Sequence, residues 1–171
     1  MDEPDLQTRR EIYALVADNP GVHFRDLLDR LDYAQGTVQY HLDKLAREDV
    51  VEVSNDGQYT RYYAAGEFDA DDRAVLNALR RTYSRRIVAH LVADGPLTTS
   101  ELSDRVEKSP STVSWHLSKL ADAGLVTKER DGRSVYYELT DPERATYLYT
   151  VYQGSFTDRL VDRLLGLWDG Y

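Results

Sequence analysis

The chain has 171 residues and a formal net charge of −9, from 30 acidic and 21 basic side chains. This balance excludes a general electrostatic attraction to nucleic acid or to an anionic membrane surface. The chain contains no cysteine, which excludes structural disulfides, thiolate metal sites and cysteine nucleophiles.

The amino-terminal decapeptide MDEPDLQTRR is acidic and lacks an apolar core, so we do not expect it to act as a signal peptide. No apolar run approaches the roughly 20 residues that a membrane-spanning helix needs. We therefore expect a cytoplasmic protein that has no membrane partner.

Residues 12–62 recur as residues 87–137 at a constant offset of 75, without a gap and with about 16 identities. The strongest match joins GTVQYHLDKLA, which begins at Gly36, to STVSWHLSKLA, which begins at Ser111. A period of this size is typical of a duplicated small domain. The sequence therefore predicts a first domain (1–65), a helical connector (66–83), a second domain (84–140) and a carboxy-terminal helical tail (141–171).

Each copy begins with two predicted helices. In the first copy Ile12 and Val16 have helical apolar spacing, and in both copies a proline and a glycine then break this segment. A second helix follows. In the second copy its start is marked by Thr98 and Glu101, which fit a capping box.

The third helix of each copy contains the repeated segment. In the second copy Ser109 is the predicted N-cap, Pro110 takes the first helical position and Gly124 ends the helix. Two β-runs joined by Asp-Gly follow in each copy, which is a strong signal for a tight hairpin. The runs are predicted over 50–54 and 58–64 in the first copy, and over 125–130 and 134–139 in the second.

Three helices followed by a hairpin make a winged helix, here twice. We predict a mainly α protein of the α+β kind, with tandem winged helix-turn-helix domains, small β-hairpin wings and carboxy-terminal helices. Between the copies, the stretch FDADDRAVLNALRRTYSRR has no proline or glycine, and the connector is predicted to run as a helix into the first helix of the second copy. In the tail, Leu148, Val151 and Tyr152, and then the apolar positions between Leu160 and Trp168, indicate one or two amphipathic helices.

The segment SPSTVSWHLSKLADAGLVTKERDGRSVYYEL resembles the recognition helix and wing of the ArsR-like winged-helix transcriptional regulators. The resemblance covers 84–140 well and 8–65 more loosely, and the whole chain is similar to archaeal regulators with two such domains in tandem. It implies sequence-specific binding of double-stranded DNA in transcriptional control, and with it association with the nucleoid. Metal-sensing members carry a cysteine-rich motif on the second helix, where this chain reads SELSD. The resemblance therefore excludes thiolate metal sensing, and no cofactor is expected.

The second recognition helix is predicted to have a core face with Val113 and Leu117 and an opposite face rich in serine. Small hydroxyl side chains let a helix approach base edges in the major groove, while basic wing residues can contact phosphates or the minor groove. The predicted DNA-binding residues are Ser111, Thr112, Ser114, Trp115, Ser118, Lys119, Lys128, Arg130 and Arg133 in the second copy, and Gln35, Thr37, Gln39, Tyr40 and Arg61 in the first.

The two copies differ in charge at the predicted DNA-binding surface. The first copy has Asp43 where the second has Ser118, and a carboxylate at that position would be repelled by DNA phosphates. The wing of the first copy has a single cation, Arg61, against three in the second. We therefore expect the second domain to be the main reader of DNA.

Some of these residues have alternative roles. The serine face can be an ordinary solvated surface, and the wing arginines can be counter-charges in an acidic protein. Trp115 and Tyr40 can pack against a neighbouring domain instead of DNA. His41 and His116 recur at the same position, but one histidine per domain is a poor metal site, so we interpret both as structural residues that border the core.

The alternative function is a protein-interaction scaffold, because tandem winged helices also build acidic subunits that need not touch DNA. An enzyme is not expected, since the chain has no Gly-rich phosphate loop, no cluster of histidine and carboxylates and no nucleophile motif. The sequence indicates no particular small-molecule effector. The apolar stripe of the tail, with Leu160 and Leu164, predicts a homodimer.

The acidic composition also relates to the salt concentration in which the protein works. The chain has four lysines among its 21 basic residues, and aspartate outnumbers glutamate two to one. This composition resembles proteins of salt-loving archaea, while an acidic protein from an ordinary environment remains the alternative.

Overall fold

The structure is a computed structural model that describes residues 3–55 and 57–156. In the first copy it contains three helices and a hairpin, as predicted, together with one additional short strand. The elements are α1 (Glu3–Asp18), β1 (Val22–His23), α2 (Phe24–Arg30), α3 (Gln35–Arg47), β2 (Val51–Asn55) and β3 (Thr60–Ala64).

The rest of the described chain repeats this order after one extra helix and adds a last helix behind it. None of the described helices combines the length and apolar character needed to cross a lipid bilayer. The elements are α4 (Ala70–Leu79), α5 (Thr82–Asp94), β4 (Leu97–Thr98), α6 (Thr99–Val106), α7 (Pro110–Asp122), β5 (Val126–Asp131), β6 (Ser134–Leu139) and α8 (Pro142–Phe156).

Each copy ends in a three-stranded antiparallel sheet, in the order β1-β3-β2 or β4-β6-β5. The second strand of each hairpin is therefore central. The strand β5 extends one residue beyond the prediction, and Asp131 pairs with Ser134. The turn is therefore Gly132-Arg133, with a φ of 59° at Gly132, and this register puts Arg133 at the tip of the wing.

The predicted helix signals of the second copy are confirmed. Thr98 and Glu101 form both bonds of the capping box, because the Glu101 amide donates to Thr98 Oγ1 at 3.2 Å and the Thr98 amide donates to Glu101 Oε2 at 2.8 Å. The Ser109 hydroxyl accepts from the Thr112 amide at 3.3 Å, and Gly124 follows the helix with a φ of 75°. Local capping chemistry thus fixes the ends of α6 and α7.

The connector does not run straight into the second copy, so that prediction is wrong. The helix α4 ends at Leu79 and α5 begins at Thr82, with extended backbone at Arg81. The Arg80 side chain turns back at this break, and its Nε donates to the carbonyl oxygen of Pro20 at 3.0 Å. The bend is therefore held by a contact to the first copy.

Two apolar clusters make up the core of the described residues. One lies within the first copy, around Ile12, Leu27 and Leu42. The other joins α4, the second copy and α8, and it also includes Tyr63 from β3. The Tyr63 side chain is fully buried and its hydroxyl donates to Asn77 Oδ1 on α4. A residue of the first sheet therefore belongs to the core of the following segment.

The helix α8 packs against α4 of the same chain. Leu148 is fully buried, as its apolar spacing predicts, whereas Val151 remains half exposed. The Arg144 guanidinium forms two bonds to the Asp72 carboxylate, at 2.7 and 2.6 Å, and these bonds hold the pKa of Asp72 below its usual range. The predicted apolar stripe from Leu160 to Trp168 lies outside the described residues.

Candidate nucleic-acid interface

The recognition helix of the second copy, α7, separates a core face from an exposed face. Val113, Leu117 and Leu120 are buried in the second cluster. Ser111, Ser114, Trp115, Ser118 and Lys119 are all exposed. The faces follow from helical periodicity, because residues three and four positions apart share a side, and the exposed face is the one predicted from the sequence.

The hydroxyl groups on this face differ in whether they form hydrogen bonds within the protein. Ser111 and Thr112 both contact the Ser109 hydroxyl, at 3.1 and 3.0 Å, so they belong to the network that caps the helix. Ser114 and Ser118 make no side-chain hydrogen bond to any residue that the structure describes. Their donor and acceptor groups are therefore directed to solvent and available to a partner.

Trp115 lies at the edge of the serine face, towards the first copy. Its side chain is 52% exposed, and it lines two cavities that Gln58 of the first hairpin also lines. The Lys119 ammonium sits over the indole ring at 5.6 Å from the ring centroid, which is within cation–π range. This position supports the alternative in which Trp115 adjoins the neighbouring domain.

The wing of the second copy presents three exposed cations. Lys128 and Arg130 lie two residues apart on β5 and so share one side of the strand, while Arg133 stands at the hairpin tip. None of the three forms an ion pair within the described ranges 3–55 and 57–156. The wing therefore presents three cations that are not held in ion pairs with described residues, although the same hairpin also carries Glu129, Asp131 and Glu138.

The recognition helix of the first copy, α3, is less open. Gln35 and Thr37 are exposed near its start, and Tyr40 is 55% exposed. Gln39 is partly buried, and its Nε2 donates to Asp43 Oδ1 at 2.8 Å. This bond occupies the amide that would otherwise pair with a base and keeps a carboxylate on the same face.

The expectation that Arg61 lies on the wing surface is wrong. Arg61 is only 3% exposed, and its guanidinium donates to the carbonyl oxygen of Gly21 at 2.9 Å. It lies on the central strand β3, opposite Ser54 and His23, so the short strand β1 covers the edge that a two-stranded hairpin would expose. Arg61 is therefore a buried residue that ties β3 to the turn before β1, and it is not an exposed wing cation.

The repeated histidines are structural, as predicted. His41 is buried, and its Nε2 lies 3.2 Å from the Asp5 carboxylate on α1. His116 is partly buried, and its Nδ1 lies 3.0 Å from the Ser84 hydroxyl on α5. Burial lowers the pKa of both imidazoles. No group of three metal-ligating side chains occurs in the part of the chain that the structure describes.

One group of charged residues was not predicted from the sequence to lie together. Arg25 on α2, and Arg80 and Arg81 at the break between α4 and α5, line a cleft between the two copies. The only local signal is the Arg80-Arg81 pair at the end of the connector. Nothing in the sequence indicates that a residue 55 positions earlier faces the same space, because the bend of the connector creates this proximity.

Comparisons with known proteins match both copies to helix-turn-helix families. A family described as an N-terminal HTH domain matches residues 6–76, and one described as a helix-turn-helix domain matches residues 83–129. An HTH-type transcriptional regulator of Methanocaldococcus jannaschii is 30% identical over 131 residues, which are 76% of this chain and 33% of that protein. The chain thus spans about a third of the length of this archaeal relative.

A second relative matches over a larger share of its own length. The transcriptional activator HlyU of Vibrio cholerae is 38% identical over 72 residues, which are 42% of this chain and 67% of that protein. A solved structure of HlyU from Vibrio cholerae is 30% identical, covers 49% of this chain and 90% of its own, and has a TM-score of 0.44. The arsenical resistance operon repressor of Bacillus subtilis is 39% identical over 57 residues, which are 33% of this chain and 54% of that protein. The chain belongs to the ArsR-like helix-turn-helix transcriptional regulators, which are not enzymes, and it carries two HTH domains in tandem.

Proposed function

We propose that the chain binds double-stranded DNA in a sequence-specific manner to regulate transcription, with the second copy as the main reader. The observation that carries this proposal is the exposed face of α7, where Ser114 and Ser118 make no side-chain hydrogen bond to a described residue. A helix of this kind docks in the major groove, where hydroxyl groups can bond to base edges. Such a regulator acts in the cytoplasm, at the nucleoid.

The wing supports the same proposal. Lys128, Arg130 and Arg133 are exposed on the hairpin that follows α7, where a winged helix places its backbone or minor-groove contacts. Phosphate contacts set the position of a protein on DNA, while base contacts set its specificity. We assign the serine face to base contacts and the three cations to the backbone or minor groove.

The first copy is proposed to have a supporting role. Its recognition face carries Asp43, which is bonded to Gln39, and its wing lacks an exposed arginine because Arg61 is buried. Gln35, Thr37 and Tyr40 remain available for secondary contacts. We keep the division into domains at 1–65, 66–83, 84–140 and 141–171 as part of this proposal.

The scaffold function is the second candidate, and one observation favours it. Tyr147 and Val151 lie four residues apart on α8 and are each about half exposed, which provides a small apolar surface for a protein partner. The three exposed wing cations have no evident use in a scaffold. We therefore prefer DNA binding, which a direct titration tests.

A salt titration tests both DNA binding and the proposed hypersaline environment. The duplex is selected from a random library with the intact protein, and its affinity is measured by fluorescence anisotropy at increasing potassium chloride. With three wing cations, we expect a slope of log affinity against log salt of about −3, since each neutralised phosphate contributes about −0.9. A scrambled duplex is the control and should bind more weakly at every salt concentration.

Three results would contradict these expectations. Equal affinity for the selected and scrambled duplexes would show that binding is not sequence-specific. The absence of binding to either duplex would favour the scaffold function. Complete loss of binding well below molar salt would show that the acidic composition does not reflect a hypersaline cytosol.

We further propose that the chain forms a homodimer, which would present two readers to a pseudo-palindromic site. The support is the apolar stripe of the tail around Leu164, which lies outside the described residues, and the exposed pair Tyr147 and Val151 on α8. Light scattering should give the mass of a dimer for the native chain and of a monomer for Leu164→Asp. Gln153→Asp, an exposed position on α8, is the control and should remain dimeric.

A further inference from the structure

A cavity of about 500 Å³ lies between the two copies. The helix α2 and the strand β3 form one side, and the recognition helix α7 forms another. The break between α4 and α5 and the end of α8 also line it, and the cavity is open to solvent. Its volume is within the range of small-molecule sites, which often lie at domain interfaces.

The cavity walls carry an excess of positive charge. Two aspartates, Asp26 and Asp29, are the acidic residues among the described residues that line it. One of them, Asp26, already pairs with Arg30 at 3.1 Å. The arginines of the walls outnumber these carboxylates and are Arg25, Arg30, Arg61, Arg80 and Arg81. Arginine side chains are therefore clustered in this cavity, although the chain as a whole is acidic.

Arg80 is the central member of this group. Within the described residues its guanidinium donates to neutral oxygens, namely the carbonyls of Pro20 at 3.0 Å and Ser155 at 3.3 Å, and the Ser155 hydroxyl at 3.2 Å. These oxygens accept hydrogen bonds from the N–H groups, but they do not neutralise the full charge of the guanidinium. A bound anion would supply that compensation.

Neighbouring groups respond to this positive field. Burial, and after it the charge of Arg61, lower the pKa of Arg80 to about 10. Burial also lowers the pKa of His23, and the charges of Arg61, Arg80 and Arg25 act in the same direction while Asp26 opposes them. In both cases burial is the larger cause, and the neighbouring arginine charges add to it.

The walls also offer flat apolar surfaces. The His23 and Tyr59 rings stack at 4.7 Å between centroids, and both line the cavity together with Trp115 and Phe156. Arginine and aromatic side chains together suit a ligand that has a carboxylate or phosphate at one end and a planar ring at the other. We propose that this cavity is a binding site for a small organic anion of that class.

This inference does not depend on DNA binding, and its test needs no DNA. Isothermal titration of the intact protein at constant potassium chloride uses adenosine monophosphate as the ring-bearing anion and inorganic phosphate as the anion alone. We expect saturable binding of both at one site per chain, with adenosine monophosphate the tighter. Arg25→Gln, which removes an exposed cation of the cavity, should weaken both about tenfold.

The matched control is Arg10→Gln, an exposed arginine on α1 that is not part of the cavity and should bind both probes like the native protein. Arg25 is exposed and makes no side-chain hydrogen bond to another described residue. Thermal unfolding of Arg25→Gln should therefore match that of the native chain, which would show that any loss of binding is not a folding defect. The absence of saturable adenosine monophosphate binding, or equal losses in Arg25→Gln and Arg10→Gln, would overturn the proposal.

Discussion

Replacing Arg130 and Arg133 together by alanine should weaken binding to duplex DNA about a hundredfold and leave the thermal unfolding midpoint unchanged. Both side chains are exposed, and neither forms an ion pair within the described part of the chain, so their removal costs the fold little. Each charge-assisted hydrogen bond to a phosphate contributes about 1.5 to 3 kcal/mol, and about 1.4 kcal/mol corresponds to a tenfold change in affinity.

The control for this variant changes the same charge elsewhere. Arg10 and Arg86 are exposed on α1 and α5, and their joint replacement by alanine should reduce affinity much less. Anisotropy titrations against a selected and a scrambled duplex make the comparison. Replacing the wing pair should weaken binding to both duplexes to a similar degree, because phosphate contacts carry no sequence information. Equal losses in the two double variants would mean that only net charge matters.

Replacing Tyr63 by alanine should lower the free energy of unfolding by about 3 to 5 kcal/mol, the usual cost of removing a buried aromatic side chain. The ring is fully buried and joins β3 to the core around α4. Tyr63→Phe keeps the packing but loses the bond to Asn77, so it should cost only about 1 kcal/mol.

Urea unfolding followed by circular dichroism measures these differences. Tyr59→Ala is the matched control, because that tyrosine lies four residues earlier and is exposed; it should unfold much like the native protein. A Tyr63→Ala variant as stable as Tyr59→Ala would show that the contact between β3 and the connector contributes little to the fold.

Local signals account for what the sequence predicts correctly. The capping box of Thr98 and Glu101, the N-cap Ser109 and the repeated apolar spacing each act within a few residues. For that reason the helices of both copies, the hairpins and the exposed serine face could be predicted before the structure was known. The strands β1 and β4 could not, since two residues are too few to show an alternating pattern.

Arg61 shows why the rest of the site could not be predicted. An alternating strand should expose every second residue, but on β3 the residues from Arg61 to Ala64 are all buried. The strand β1 covers one edge, and contacts such as the bond from Tyr63 to Asn77 cover a face. The burial of β3 thus depends on chain segments that are distant in sequence. The same holds for the cavity between the copies, which Arg25 and Arg80 both line.

A reciprocal exchange of reading residues tests most directly whether the second copy is the main reader. One variant places first-copy residues on α7 as Ser114→Gln with Ser118→Asp, and the other places second-copy residues on α3 as Gln39→Ser with Asp43→Ser. All four positions lie outside the buried core, so both variants should fold. The measurement is the ratio of affinities for the selected and scrambled duplexes. We predict that the exchange on α7 abolishes this preference and that the exchange on α3 preserves it; the opposite outcome would assign DNA reading to the first copy.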